Sequence, residues 1–274
     1  MISCPAQVQR TSYLFIDGQN LHSTLNKISE RVFKGVKLPI DWAKLRGSHR
    51  KVFYYDAIPV KQMGEEDSVY ATRVAPKRTE LAMIERQAGY HVRSGDAVHR
   101  KRHGYEQKMV DVQLAVDALL MASRSLFDSV TLITGDLDFK PLVSALVDMG
   151  VDVHLQYPPG ETNEDLLAAA DLAEPILVTT CCGWLDATFL GSHPMPQACM
   201  NLKNSNYDGF SAVAGWDDSR YGRCRVVVVG HEFKLISERD PNNPQTHRLE
   251  ITDARQEMIR VYAQDVFGLA VPTW

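Results

Sequence analysis

The chain alternates short apolar runs with segments of helical period. Residues 12–17, SYLFID, form an apolar run closed by Gly18 and read as a buried strand. A helix follows, with Leu21, Leu25 and Ile28 on one face. Residues 40–46 suit a short helix. Residues 50–58, RKVFYYDAI, are rich in aromatic and β-branched side chains and stop at Pro59, which predicts a second strand. Residues 60–73 read as a loop. Pro76 is placed to start a helix to about residue 88, with Leu81, Ile84 and Ala88 inward and Gly89 as its stop. Residues 90–104 read as a third strand opening into a basic loop or hairpin. Val110, Leu114, Ala118 and Met121 give residues 109–123 the period of a helix. SVTLIT, 129–134, predicts a fourth strand ending at Gly135-Asp136. Residues 137–149 are helical and stop at Gly150. Residues 151–157 form a fifth strand, ended by Pro158-Pro159-Gly160, and Thr162 or Asn163 can cap a helix through 170.

Strands alternating with helices at this spacing predict a three-layer α/β sandwich around a mainly parallel sheet. Its ligand site is expected at the carboxyl ends of the strands. After about residue 180 the pattern changes to polar, turn-rich segments. Residues 223–236 look like one strand, 247–252 like another, and a helix fits 254–267. The expected organisation is one domain over 10–178 and a smaller, mostly β region over 179–274.

Composition narrows the function classes. The 274 residues are 45% hydrophobic and 23% charged, ordinary for a globular protein. No stretch reaches ~18 apolar residues, so no membrane span is expected. The first residues lack the basic and apolar regions of a secretory signal. Five cysteines (Cys4, Cys181, Cys182, Cys199, Cys224) contain no C-x-x-C pair, which argues against a disulfide framework or zinc ribbon. A cytoplasmic chain with reduced thiols is expected. No P-loop, dinucleotide fingerprint or G-x-S-x-G elbow is present. The net charge of −4 hides an uneven distribution. From Arg73 to Lys108 nine Lys/Arg stand against four acids, and from Asp111 to Asp171 eleven acids stand against two bases. A basic segment beside an acidic one suits a metal-dependent enzyme acting on a polyanion, although charge runs also serve as plain solvated faces.

The acids fall where a site is expected. Asp17 ends strand one, Asp136 and Asp138 follow strand four, and Asp111 lies in the first turn of the helix after the basic loop. If strands one and four are neighbours, these carboxylates meet. Their repulsion then calls for a cation, and Mg2+ or Mn2+ suits hard oxygen ligands. Each acid also has an ordinary reading: Asp111 as a helix-dipole carboxylate, Asp138 as an N-cap, Asp136 as turn chemistry. Asp17, at the end of a buried strand, needs a partner in any case.

Four blocks, FIDGQN (15–20), FYYDAI (53–58), QKMVDVQLAVDALL (107–120) and TLITGDLDFKPLVSALVDMGVDVHL (131–155), resemble the NYN domain family. The resemblance is to the bacterial LabA-like group within the PIN-like nuclease superfamily and covers roughly residues 10–175. It implies a PIN-like α/β sandwich, an acidic Mg2+/Mn2+ site and RNA cleavage. Carried over by motif, Asp17, Asp111, Asp136 and Asp138 are the metal-binding, catalytic acids. Asn20 matches the family's Asn after the first acid and would orient water, metal or phosphate. Asp117 also matches, but it lies about 240° around the helix from Asp111, so it ranks lower and can instead make a structural hydrogen bond. Met109 departs from the glycine that the family often has after the lysine of this block.

Sequence-independent phosphate contacts are expected from Arg100, Lys101 and Arg102 with Arg93 and Lys108, and then from Lys77 and Arg78. The alternative is an exposed solubilising loop. Lys140 can reach a phosphate or serve as a surface lysine. Tyr54, Tyr55 and Tyr105 can stack on bases, with one of Tyr54 and Tyr55 expected in the core. The expected function is a metal-dependent ribonuclease hydrolysing phosphodiester bonds, with RNA as partner. The alternatives are an RNA-binding or regulatory module with little turnover, or a nuclease acting on DNA. The C-terminal region can dock RNA, cover the site, or form a homo-oligomer through the 223–236 strand edge.

Overall fold

A computed structural model describes residues 10–95, 105–203, 207 and 209–273. In it the sequence pattern becomes two sheets of opposite character. The first contains β1 (Ser12–Asp17), β2 (Lys51–Ala57), β3 (Tyr90–Gly95), β4 (Ser129–Ile133), β5 (Asp152–Tyr157) and β6 (Leu172–Pro175). Its order is β3-β2-β1-β4-β5-β6 and every neighbouring pair is parallel. Between the strands run α1 (Gly18–Val32), α2 (Trp42–Arg46), α3 (Asp67–Glu85), α4 (Tyr105–Ser123), α5 (Lys140–Asp148) and α6 (Glu164–Leu167).

The central strands are buried on both faces, which is why they read as continuous apolar runs. Phe15, Phe53, Tyr55, Val130 and Leu132 share one core with Val110, Leu114 and Ala118 of α4 and Leu142 and Leu146 of α5. Alternation sends Leu14, Ile16, Val52 and Tyr54 to the opposite face, where they are also buried. Tyr54 and Tyr55 are 0% and 1% exposed, so neither stacks on a base. Each tyrosine enters the core on its own side of a doubly covered sheet. The side chain of Tyr105 is not described.

Three local expectations change. Helix α3 starts at Asp67, and Pro76 lies inside it. Its exposed first turns are held by polar anchors: Arg73 donates to Glu65 at 2.8 and 2.9 Å and to the Val60 carbonyl at 2.7 Å. Lys61 pairs with Asp67, and Arg73 and Arg78 both lie over the Tyr70 ring. β6 adds a short strand that ends in Pro175 at the sheet edge, where a missing donor is tolerated. The 223–236 run is two strands with a turn between them. In β9 (Gly222–Val229) and β10 (Glu232–Ile236), Val229 pairs with Glu232, leaving Gly230-His231 as a two-residue turn with Gly230 at φ +64°.

The C-terminal part, expected to be mostly β, opens with two helices, α7 (Val178–Trp184) and α8 (Ala187–Ser192). Asp186 caps α8 through Thr188 and Phe189, and Cys181, Cys182 and Trp184 of α7 are buried. β7 (Gln197–Leu202), β8 (Ala212–Asp218), β9, β10 and β11 (His247–Asp253) form an antiparallel sheet in the order β7-β11-β10-β9-β8. Cys224, Val226, Leu235, Leu249 and Ile251 pack on Ile259 and Ala263 of α9 (Gln256–Phe267).

The chain divides into two compact units, and the division cuts α1. Met1–Leu25 and Asp41–Ile176 form one; Asn26–Ile40 and Leu177–Trp274 form the other. In the second unit Ile40 bridges Leu185, Asp186 donates to the Pro39 carbonyl at 3.0 Å, and Arg31 pairs with Glu257 at 2.9 Å. Phe33 meets Phe189 edge-on, ring centroids 5.5 Å apart. No helix among the described residues is long and apolar enough to cross a membrane.

Candidate active site

β1 and β4 are neighbours, so their carboxyl ends emerge side by side. Asp17 is the last residue of β1 and continues the Phe15 face toward α4. Its Oδ1 accepts the Asn20 N–H at 3.1 Å, and its Oδ2 accepts the Thr134 hydroxyl at 3.2 Å. Thr134, 1% exposed, also accepts the Asp136 N–H at 3.2 Å and so ties the two strand ends together. Asp136 caps the short 3-10 turn Leu137–Phe139 by accepting the Asp138 N–H at 2.9 Å. Gly135 has no room for a side chain: a Cβ there would come within 2.8 Å of Pro158 and Thr162.

Asp111, half-buried on α4, completes the group. Its carboxyl is pushed up to about 6, first by burial and then by the charges of Asp17, Asp136 and Asp138. Burial likewise raises Asp17, helped by Asp136 and Asp56 and opposed by the bonds from Asn20 and Thr134. Four carboxylates therefore share one field. The Asn20 Oδ1 atom is buried and has no hydrogen-bond partner. Oxygen donors short of positive charge, with an orphaned amide oxygen beside them, fit a hard divalent cation. Among the described residues no three His, Cys, Asp or Glu side chains are gathered tightly enough to hold an ion.

The other expected residues are distributed around this point. Asp117 faces β2 and β3: it accepts the Tyr55 hydroxyl at 2.9 Å and lies 3.5 Å from Arg93 Nε. Arg93 also covers the Phe53 ring. Lys140 pairs with Asp165 at 3.1 Å. Arg78 lies at Tyr70. The Lys77 ammonium turns to Asp56, Glu80 and His22. Arg100, Lys101 and Arg102 fall outside the described residues, and the Lys108 side chain is not described. Sequence reasoning did not single out Thr134, Asp56, Glu80 or His22. Asp56 carried a usable signal, an acid near the end of a buried strand like Asp17.

The family model of the NYN domain matches residues 11–177. No curated protein matches the chain. Among solved structures, a protein of unknown function from Vibrio parahaemolyticus is similar at 18% identity with a TM-score of 0.46, over 63% of this chain and 96% of that one. A likeness of that size carries no argument.

Proposed function

The chain belongs to the NYN domain family, and on that premise we propose that it is a metal-dependent ribonuclease of the LabA-like kind, working in the cytoplasm. Family membership places it in the PIN-like nuclease superfamily. We assign the chemistry to residues 10–178 and leave 179–274 an accessory role. The observation that carries the reading is the group of mutually repelling acids: Asp111 raised to about 6 by burial and by Asp17, Asp136 and Asp138. These four acids would hold Mg2+ or Mn2+, and the Asn20 amide oxygen would orient a water or the ion. When bound, such an ion supplies positive charge to the phosphodiester and acidifies a water. Thr134 fixes Asp17 and Asp136 in one register, so the acids meet the phosphate as a rigid edge. Arg93, Arg78, Lys108 and the Arg100-Lys101-Arg102 loop would receive the RNA backbone.

Labelled RNA with Mn2+ tests this. Asp17→Asn and Asp136→Asn should each lower cleavage by at least ~100-fold, more than is typical when only an outer partner of a metal ligand is lost. Circular dichroism should show both variants folded. Full activity in both would end the reading. The second reading is an RNA-binding module with little turnover. Binding without product would select it, and matched RNA and DNA substrates would separate a deoxyribonuclease.

A further inference from the structure

The two edges of the C-terminal sheet are built differently. β8, at one end, has a register shift between Ala212 and Ala214 and closes on Asp217 and Asp218. Bulges and charges of this kind keep an edge strand from pairing with another chain. The edges of the first sheet are guarded too. β3 carries Arg93, and β6 is four residues long and includes Glu174 and Pro175. β7 forms the other edge of the C-terminal sheet, and among the described residues no strand flanks its outer side. It has none of these devices. Its sequence, QACMNL, contains no charged residue, no proline and no glycine, and it pairs with β11 without a shift. The 223–236 run, where an edge was expected, offers none, because β9 and β10 each have a strand on both sides.

The ladder fixes which backbone groups of β7 face outward. The Lys203 N–H donates to the Thr246 carbonyl at 3.0 Å, one step past the Leu202–His247 pair. Along an antiparallel strand, successive residues turn their N–H and C=O to opposite sides. Gln197, Cys199 and Asn201 therefore bond inward to β11, while Ala198, Met200 and Leu202 turn theirs to the open edge. The side chains of these last three share one face. Met200 pairs with Leu249 and Ala198 with Ile251, and both partners lie in the core against α9. Yet Met200 is 39% and Leu202 51% exposed. The open edge thus combines free backbone groups with an apolar strip.

We infer that β7 is the pairing edge for a second copy of this chain. Antiparallel pairing about a two-fold axis at Met200 sets it against Met200 of the partner subunit, and sets Ala198 against Leu202 of the partner subunit. Each of these pairs exchanges both N–H···O=C bonds. The apolar strip closes on its own image, which is what an isologous contact requires. On the other face Cys199 meets Asn201 of the partner subunit. No like charges are brought together, as a lysine or aspartate at the centre of the strand would force. Two five-stranded sheets become one continuous sheet.

Analytical ultracentrifugation of the full chain tests this. At ~100 μM the mass should be twice that of one chain. Met200 lies on the axis, so Met200→Lys sets two ammonium groups face to face and should return the mass to that of one chain. Its side chain is exposed, so circular dichroism should show the fold intact. A wild-type chain that stays single overturns the inference, and so does a folded Met200→Lys that stays double. If Met200→Lys does not fold, thiol cross-linking of the wild-type chain decides. Cys199 stands diagonally across the axis from Cys199 of the partner subunit, ~7–8 Å away and within reach of a short bismaleimide. Cys181, Cys182 and Cys224 are buried. A covalent dimer that Cys199→Ser abolishes supports the inference. No covalent dimer, or one that survives Cys199→Ser, overturns it.

Discussion

At the scale of the residue, the site depends on contacts too short to admit other side chains. Gly18 begins α1 directly behind Asp17, and a Cβ there would lie 2.6 Å from Asp56 and 2.8 Å from the Tyr54 ring. Both neighbours are buried and fixed. Gly18→Ala should therefore shift the first turn of α1 and cost about 1–3 kcal/mol, read as a lower urea midpoint. A change within a few tenths of a kcal/mol would show that the turn has slack. Thr134→Val keeps the shape but removes the hydroxyl that joins Asp17 to Asp136, at about 1 kcal/mol. The acids themselves were legible, because a carboxylate after a buried strand is conspicuous in FIDG and in TGDLDF. Thr134 was not, since a threonine at a strand end has many ordinary uses. Nor can sequence show that the Asn20 Oδ1 would be left without a partner. That depends on how α1 leaves the sheet.

At the scale of the element, periodicity predicts what is buried and overlooks what is held by charge. The central strands and α4 were legible because each buries a regular apolar set. The start of α3 was hidden because residues 67–73 bury nothing, and Pro76 reads as a beginning. Arg73, Glu65, Lys61 and Asp67 supply the anchors that hydrophobic pattern cannot report. Pro76 is exposed inside the helix and lacks an N–H for the preceding turn. Pro76→Ala should stabilise the protein by about 1–2 kcal/mol, the helix penalty of proline less its restraint on the unfolded chain. A higher melting temperature would confirm this, and a drop would mean that the ring itself packs usefully. In the C-terminal sheet, Gly230 divides one apparent strand into a hairpin through a backbone angle only glycine adopts cheaply.

At the scale of the whole molecule, the modest net charge of −4 includes a carboxylate group whose members repel one another. Asp111 ordinarily titrates at 3.8 and is raised to about 6 in the folded chain. Between those values the folded protein holds a proton that the unfolded chain has lost. Stability from this group is therefore lost as pH rises through that window. Above it the site carries a repulsion that a divalent cation relieves. Mg2+ or Mn2+ should accordingly raise the melting temperature more near pH 7.5 than near pH 5, as followed by calorimetry. Equal shifts at both would mean that binding ignores these acids. The division of α1 between the two units has a further consequence, in time. Residues 26–40 are synthesised about 140 residues before Leu177, where the rest of their unit begins. At ~5–20 residues per second, Val32, Phe33 and Leu38, all buried in the finished protein, wait roughly 7–30 s for the chain that will cover them. During that interval the growing chain offers an apolar segment to any chaperone at the ribosome. A chain stopped at residue 177 would offer it permanently.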